Sequence, residues 1–239
     1  MKKINQLIWP ICVYYISQTM ISVIGFTFLK SRSEIYSNYT FFGTEAEIIF
    51  AGLLQIFIYL FSALSVLVFY KKEEFLQKGE KSEIILQDKK NAVIESGRWK
   101  KTAVFLLGAF LAVILNFIWK KIPFFQSDQI YQEVAKTQYS FPVWLGIFLY
   151  GMASPLAEEM MFRGILYRAG RRHFGIMPAI LLSSFCFGLF HGNIVQASYG
   201  FLMALCMAWL YEKEENFWIP FLFHSGANLA VYCLTGMLG

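Results

Sequence analysis

The chain has 239 residues, of which 57% are hydrophobic, 18% aromatic and only 15% charged. A soluble domain carries about 25% charged residues, so this composition excludes a large soluble core and is that of a membrane protein. The net charge of +5 comes from basic residues in short stretches beside hydrophobic runs. There they orient a membrane protein, and no nucleic-acid partner is expected.

A membrane span requires about 20 apolar residues at about 1.5 Å of rise each. Seven stretches qualify in chain order: about 7–29, 48–70, 102–119, 142–168, 176–192, 196–211 and 218–238. The predicted fold is therefore all-α, a polytopic transmembrane bundle of about seven spans. The first run follows Lys2 and Lys3 as a signal peptide would. It continues to Leu29 without a small-residue cleavage site before Lys30, so it reads as a retained span. The fifth and sixth stretches are short and joined around Gly192 and Asn193.

The Lys- and Glu-rich segment 71–101 is the longest charged linker. It divides the chain into residues 1–101, two spans plus a charged cytoplasmic loop, and residues 102–239, a five-span core. Counting Lys and Arg by loop gives 15 on the side of the N-terminus, 71–101, 168–172 and 212–217. The side of 30–47 and 120–141 has 5. The positive-inside rule then places the N-terminus and 71–101 in the cytoplasm. The expected location is a bacterial plasma (inner) membrane, with the lipid bilayer as a partner. Cys12, Cys186, Cys206 and Cys233 lie in apolar stretches without metal-type spacing and read as packing residues.

The polar residues inside these spans carry the chemistry. Glu158 and Glu159 stand side by side in the fourth span, where each ionisable group costs about 2.5–3.5 kcal/mol to insert. His191 and His224 lie in the fifth and seventh spans, whereas His173 follows Arg171 and Arg172 in a loop. Residues four apart share a helix face. Glu159 therefore pairs with Arg163, Phe187 lies one turn from His191, and His224 lies one turn from Asn228. Glu158 points about 100° away from Glu159 and is free to face His191, His224 and Asn228 across the bundle. A carboxylate, two imidazoles and an amide suit water activation by a general base with hydrogen bonds to a developing oxyanion. The same Glu and His set also suits Zn²⁺ with an open coordination position. Spacing alone leaves both open.

Three motifs occur in order on successive apolar segments. They are Glu158-Glu159-Met160-Met161-Phe162-Arg163, Phe187-Gly188-Leu189-Phe190-His191 and His224-Ser225-Gly226-Ala227-Asn228. Together they resemble the CAAX-protease and bacteriocin-processing (CPBP, or Abi) family of intramembrane proteases over about residues 100–239. The resemblance implies an all-α membrane core and endopeptidase chemistry on a peptide or membrane-protein substrate. It implies Glu158 as the water-activating base assisted by His191, His224 and Asn228 as the oxyanion pair, and Glu159 with Arg163 as a supporting ion pair beside Phe187. A metal-free mechanism is preferred, the alternative being a divalent metal on Glu158, His191 and His224.

Roles in bacteriocin self-immunity or peptide maturation fit the family. A non-catalytic membrane regulator that binds a partner protein is the alternative, and a proton relay a third. Activity is expected near the cytoplasmic face. Counted from that side at about 1.5 Å per residue, Glu158 lies about 10–15 Å deep, His224 about 9 Å and His191 about 20 Å. These depths do not coincide. Substrate identity and oligomeric state are not encoded in these motifs.

Overall fold

A computed structural model describes the backbone of residues 2–36, 44–88, 98–139 and 141–238, and among these residues there is no strand. Helices α1 (Lys2–Tyr36), α2 (Thr44–Asp88) and α3 (Arg98–Trp119) come first, followed by the short α4 (Pro123–Gln126) and α5 (Gln129–Tyr139). One helical run then comprises α6 (Val143–Phe148), α7 (Ser154–Met161) and α8 (Arg168–Phe174). Single π-helical turns join them at Leu149–Ala153 and Phe162–Tyr167. The chain ends with α9 (Ile176–Leu189), α10 (Ile194–Glu214) and α11 (Trp218–Leu238).

Four helices among the described residues are long and apolar enough to cross a membrane: Ile4–Phe28, Ile48–Gln77, Trp99–Trp119 and Ile194–Glu214. Large side chains such as Val23, Leu64, Val68, Phe110 and Phe117 point outward from them, as lipid-facing residues should. The protein is a multi-pass helical membrane protein.

Several boundaries differ from the sequence expectation. The segment 71–101 is not all loop, because α2 continues through Asp88; residues 89–97 lie outside the described residues. The loop expected at 30–47 is largely helical where described, and 37–43 lie outside. Residues 120–141 contain α4 and α5; a hydropathy reading misses α4 because it has only four residues and α5 because it is polar. The fifth stretch is a helix of 14 residues, about 21 Å long and short of the roughly 30 Å hydrocarbon core. Left-handed glycines, Gly175 (φ 87°) and Gly192 (φ 71°), turn the chain at its two ends. Asn193 then caps α10 by accepting from the Gln196 amide at 2.8 Å.

Polar contacts tie together the end of the bundle that carries the basic loops. Arg172 forks onto Glu73 at 2.6 and 2.9 Å, Arg171 forks onto Glu212 at 2.8 and 3.0 Å, and Lys100 pairs with Glu214. His173 meets Gln6 at 2.7 Å. The start of α1, the α2 region around Glu73, the start of α3, α8 and the end of α10 therefore share one end.

Helices α3 and α11 pack backbone to backbone. A Cβ on Gly108 would strike the Phe223 carbonyl, and one on Gly226 would strike the Phe105 carbonyl. Small residues at such crossings replace the hydrophobic drive that lipid removes. Gly108→Ala and Gly226→Ala are each expected to lower stability by about 1–3 kcal/mol. Thermal unfolding in detergent reads this, and an unshifted melting temperature in both variants would mean a looser crossing.

Candidate active site

Helix α7 places its two carboxylates between the two π-helical turns, features that recur at functional sites. Within α7 the ordinary α-helical period holds, so Glu158 and Glu159 diverge as their adjacency predicts. Glu159 is completely buried and accepts from Arg163 Nη1 at 2.9 Å. Arg163 is buried as well, donates through Nη2 to the Ala204 carbonyl at 3.2 Å, and lies 4.8 Å from the centre of the Phe187 ring. The expected ion pair and its Phe187 neighbour are both present.

His224 stands between the two glutamates. Its Nδ1 is 2.8 Å from Glu159 Oε1, and its Nε2 is 3.8 Å from Glu158 Oε2. Beside a carboxylate acceptor, Nδ1 carries the proton and donates it to Glu159. That leaves Nε2 facing Glu158. Glu159 therefore orients a histidine as well as pairing with Arg163.

Glu158 has a partner within its own helix. Ser154, one turn earlier, donates its hydroxyl to Glu158 Oε1. The i, i+4 rule that finds Arg163 finds Ser154 too. Glu158 Oε2 is buried with no hydrogen-bond partner among the described residues. Its 3.8 Å separation from His224 Nε2 is too long for a direct hydrogen bond and short enough for one water to touch both groups.

His191 lies in the turn after α9, with Nδ1 donating to the Phe187 carbonyl at 2.9 Å. Its Nε2 is therefore the basic nitrogen of the neutral ring. Phe187 is the aromatic hub, with ring centres 5.0 Å from His191 and 5.5 Å from His224. Asn228 donates one amide hydrogen to the Tyr150 carbonyl at 3.2 Å.

Glu158, His191, His224 and Asn228 all line one cavity of about 820 Å³, together with Ser154. Glu159, Arg163 and Phe187 stand behind this wall rather than in it. The N-terminal helices do more than span the membrane, since Gln55 and Tyr59 of α2 also line the cavity. Tyr59 lies beside Glu158 and Ser154, and the buried Tyr14 of α1 is close enough to feel the Glu158 charge. Nothing local in the sequence marks these tyrosines, which read as ordinary aromatic span residues.

Glu158, His191 and His224 share the cavity, yet no group of three His, Cys, Asp or Glu among the described residues is positioned to hold a metal ion. His224 donates Nδ1–H to Glu159 and keeps Nε2 toward the cavity, the orientation in which a histidine could also ligate an ion.

The fold and this cluster define a polytopic helical membrane protein with an acid–imidazole site inside a cavity. Residues 140–230 match the family model described as "Type II CAAX prenyl endopeptidase Rce1-like". That segment contains all three motifs and is similar to the CAAX-protease and bacteriocin-processing family that they resemble. A protein of Bacillus subtilis (strain 168) named "Putative membrane peptidase YdiL" is 29% identical over 87 residues, 36% of this chain and 36% of the relative. The match thus spans about a third of the length of that curated relative. No solved structure matches the chain significantly.

Proposed function

We propose that this protein is an intramembrane endopeptidase that cleaves a peptide or membrane-protein segment with water activated by Glu158. The observation that carries the reading is the unpartnered Glu158 Oε2, buried and 3.8 Å from His224 Nε2 in the cavity wall. A water between these two atoms gives a proton to Glu158, and its oxygen forms a bond to the scissile carbonyl carbon. The carbonyl π electrons move onto oxygen, where protonated His224 Nε2 and the remaining Asn228 N–H donate to the oxyanion. The proton held by Glu158 then passes to the amide nitrogen, the C–N bond breaks, and a carboxylic acid and an amine result. His191 Nε2, on the same cavity, assists in taking the proton from water.

Glu159 and Arg163 act through His224. Glu159 accepts the His224 Nδ1–H and Arg163 holds Glu159 in place, while the Glu158 carboxylate facing Nε2 is the counter-charge for an imidazolium. Substrates include peptides whose maturation or removal requires one internal cut, such as those of bacteriocin self-immunity. The protein resides in a bacterial plasma membrane in this reading.

Purified protein in liposomes is expected to generate new termini in added membrane-active peptides, detected by mass spectrometry, and His191→Ala is expected to slow the reaction. Equal cleavage by His191→Ala would remove that residue from the mechanism. Activity is expected to survive prolonged chelation; loss with chelator and recovery with Zn²⁺ would replace the metal-free scheme.

A further inference from the structure

The cavity lies at one end of the bundle, opposite the end that carries the basic loops. Its walls come from the second half of α1, the first part of α2 and the last turn of α3, for example Thr19, Ser22, Ala51, Asn116 and Trp119. Phe125 of α4 and Tyr131 of α5 lie at the same end, as do His191 and Gln196 around the α9–α10 turn. Beyond Glu158 toward the other end, every residue from Met161 to Gly170 is buried. Past that plug come the ion pairs Arg172–Glu73 and Arg171–Glu212.

The basic residues divide unequally between these ends. Lys2, Lys3, Lys71, Lys72, Arg98, Lys100, Lys101, Arg171, Arg172 and Lys213 belong to the plugged end, against Lys30, Arg32, Lys120, Lys121 and Lys136 at the cavity end. An excess of Lys and Arg marks the cytoplasmic side. We infer that the cavity opens to the extracytoplasmic side and that the site takes peptide segments presented there, not cytoplasmic C-terminal tails. This rests on the peptidase reading for its substrate class, but not for its sidedness.

The geometry also limits how the substrate reaches the base. Glu158 lies 15 residues into the helical run that begins at Val143, about 20 Å from that end at about 1.5 Å per residue. An extended chain advances about 3.3–3.6 Å per residue, so about six unfolded residues must enter before the scissile bond meets Glu158. This resolves the unequal depths counted from the cytoplasm. His191 stands toward the mouth, and Glu158 and His224 stand deeper.

Cysteine labelling in whole cells tests this. Thr19→Cys and Asn116→Cys report the cavity, and Lys213→Cys reports the basic end; the wild-type chain gives the background from its own four cysteines. A membrane-impermeant maleimide added to intact bacterial spheroplasts is expected to label both cavity variants and to leave Lys213→Cys unlabelled until lysis. Labelling of the cavity variants only after lysis, or of Lys213→Cys before it, would overturn the orientation. Failure of the cavity variants to label even in lysed membranes would overturn the open mouth. None of these readouts needs turnover, so a failed peptidase assay and a failed orientation remain separate results.

Discussion

Glu158→Gln is expected to lower peptide hydrolysis by about 10²–10⁴-fold, the usual contribution of a positioned general base. Inserted protein should remain near the wild-type amount. The substituted glutamine keeps the length of the side chain, and its amide oxygen still accepts the Ser154 hydroxyl that Glu158 Oε1 now accepts. It cannot take a proton from water. The Oε2 position carries no direct hydrogen bond among the described residues, so an amide nitrogen there breaks none. Cleavage rates and abundance measured together separate chemistry from folding. Full turnover by Glu158→Gln at normal abundance would sink the proposed mechanism.

The opposite pattern is expected one residue along. Arg163→Met leaves the Glu159 carboxylate buried without its cation, and breaking a buried pair from one side costs about 3–5 kcal/mol. That is a large share of the roughly 5–15 kcal/mol typical of a folded domain. The variant should accumulate poorly and unfold at lower temperature in detergent. Adding Glu159→Gln to Arg163→Met removes the stranded charge and should restore much of the stability. The new amide still offers an oxygen to His224 Nδ1, now 2.8 Å from Glu159 Oε1. The restored protein should nonetheless hydrolyse peptide slowly, because His224 has lost an anionic partner. An Arg163→Met variant within about 1 kcal/mol of wild type would contradict a buried, structurally required pair.

The two predictions differ because the adjacent glutamates diverge around one helix. Glu158 faces an open cavity, where a charge has room for water. Glu159 faces Arg163 and His224 with no exposed surface. Its energetic role is cohesion of α7 with α10 and α11, through Arg163 to Ala204 and through His224.

What depends on local helical geometry is legible in the sequence. Hydropathy identifies the membrane class, and the four-residue repeat pairs Glu159 with Arg163 and separates Glu158 from both. Ser154 is within reach of the same rule, but a serine in an apolar span carries no charge to draw attention. The helices α4 and α5 escape a sequence reading for different reasons. The first is a single turn of four residues and the second has a polar sequence that resembles a loop.

By itself the sequence determined that the chain spans the membrane and carries two carboxylates, two histidines and an asparagine within its apolar stretches. Only the tertiary structure decided that His224 stands between both glutamates, that α1 and α2 bring Tyr14 and Tyr59 to Glu158, and that the cavity lies at the end poor in basic residues. Local spacing fixes contacts within one helix to within a turn. Contacts between helices, such as His224 to Glu159 across 65 residues of chain, follow from how whole apolar faces and small-residue crossings pack, and no local periodicity encodes that.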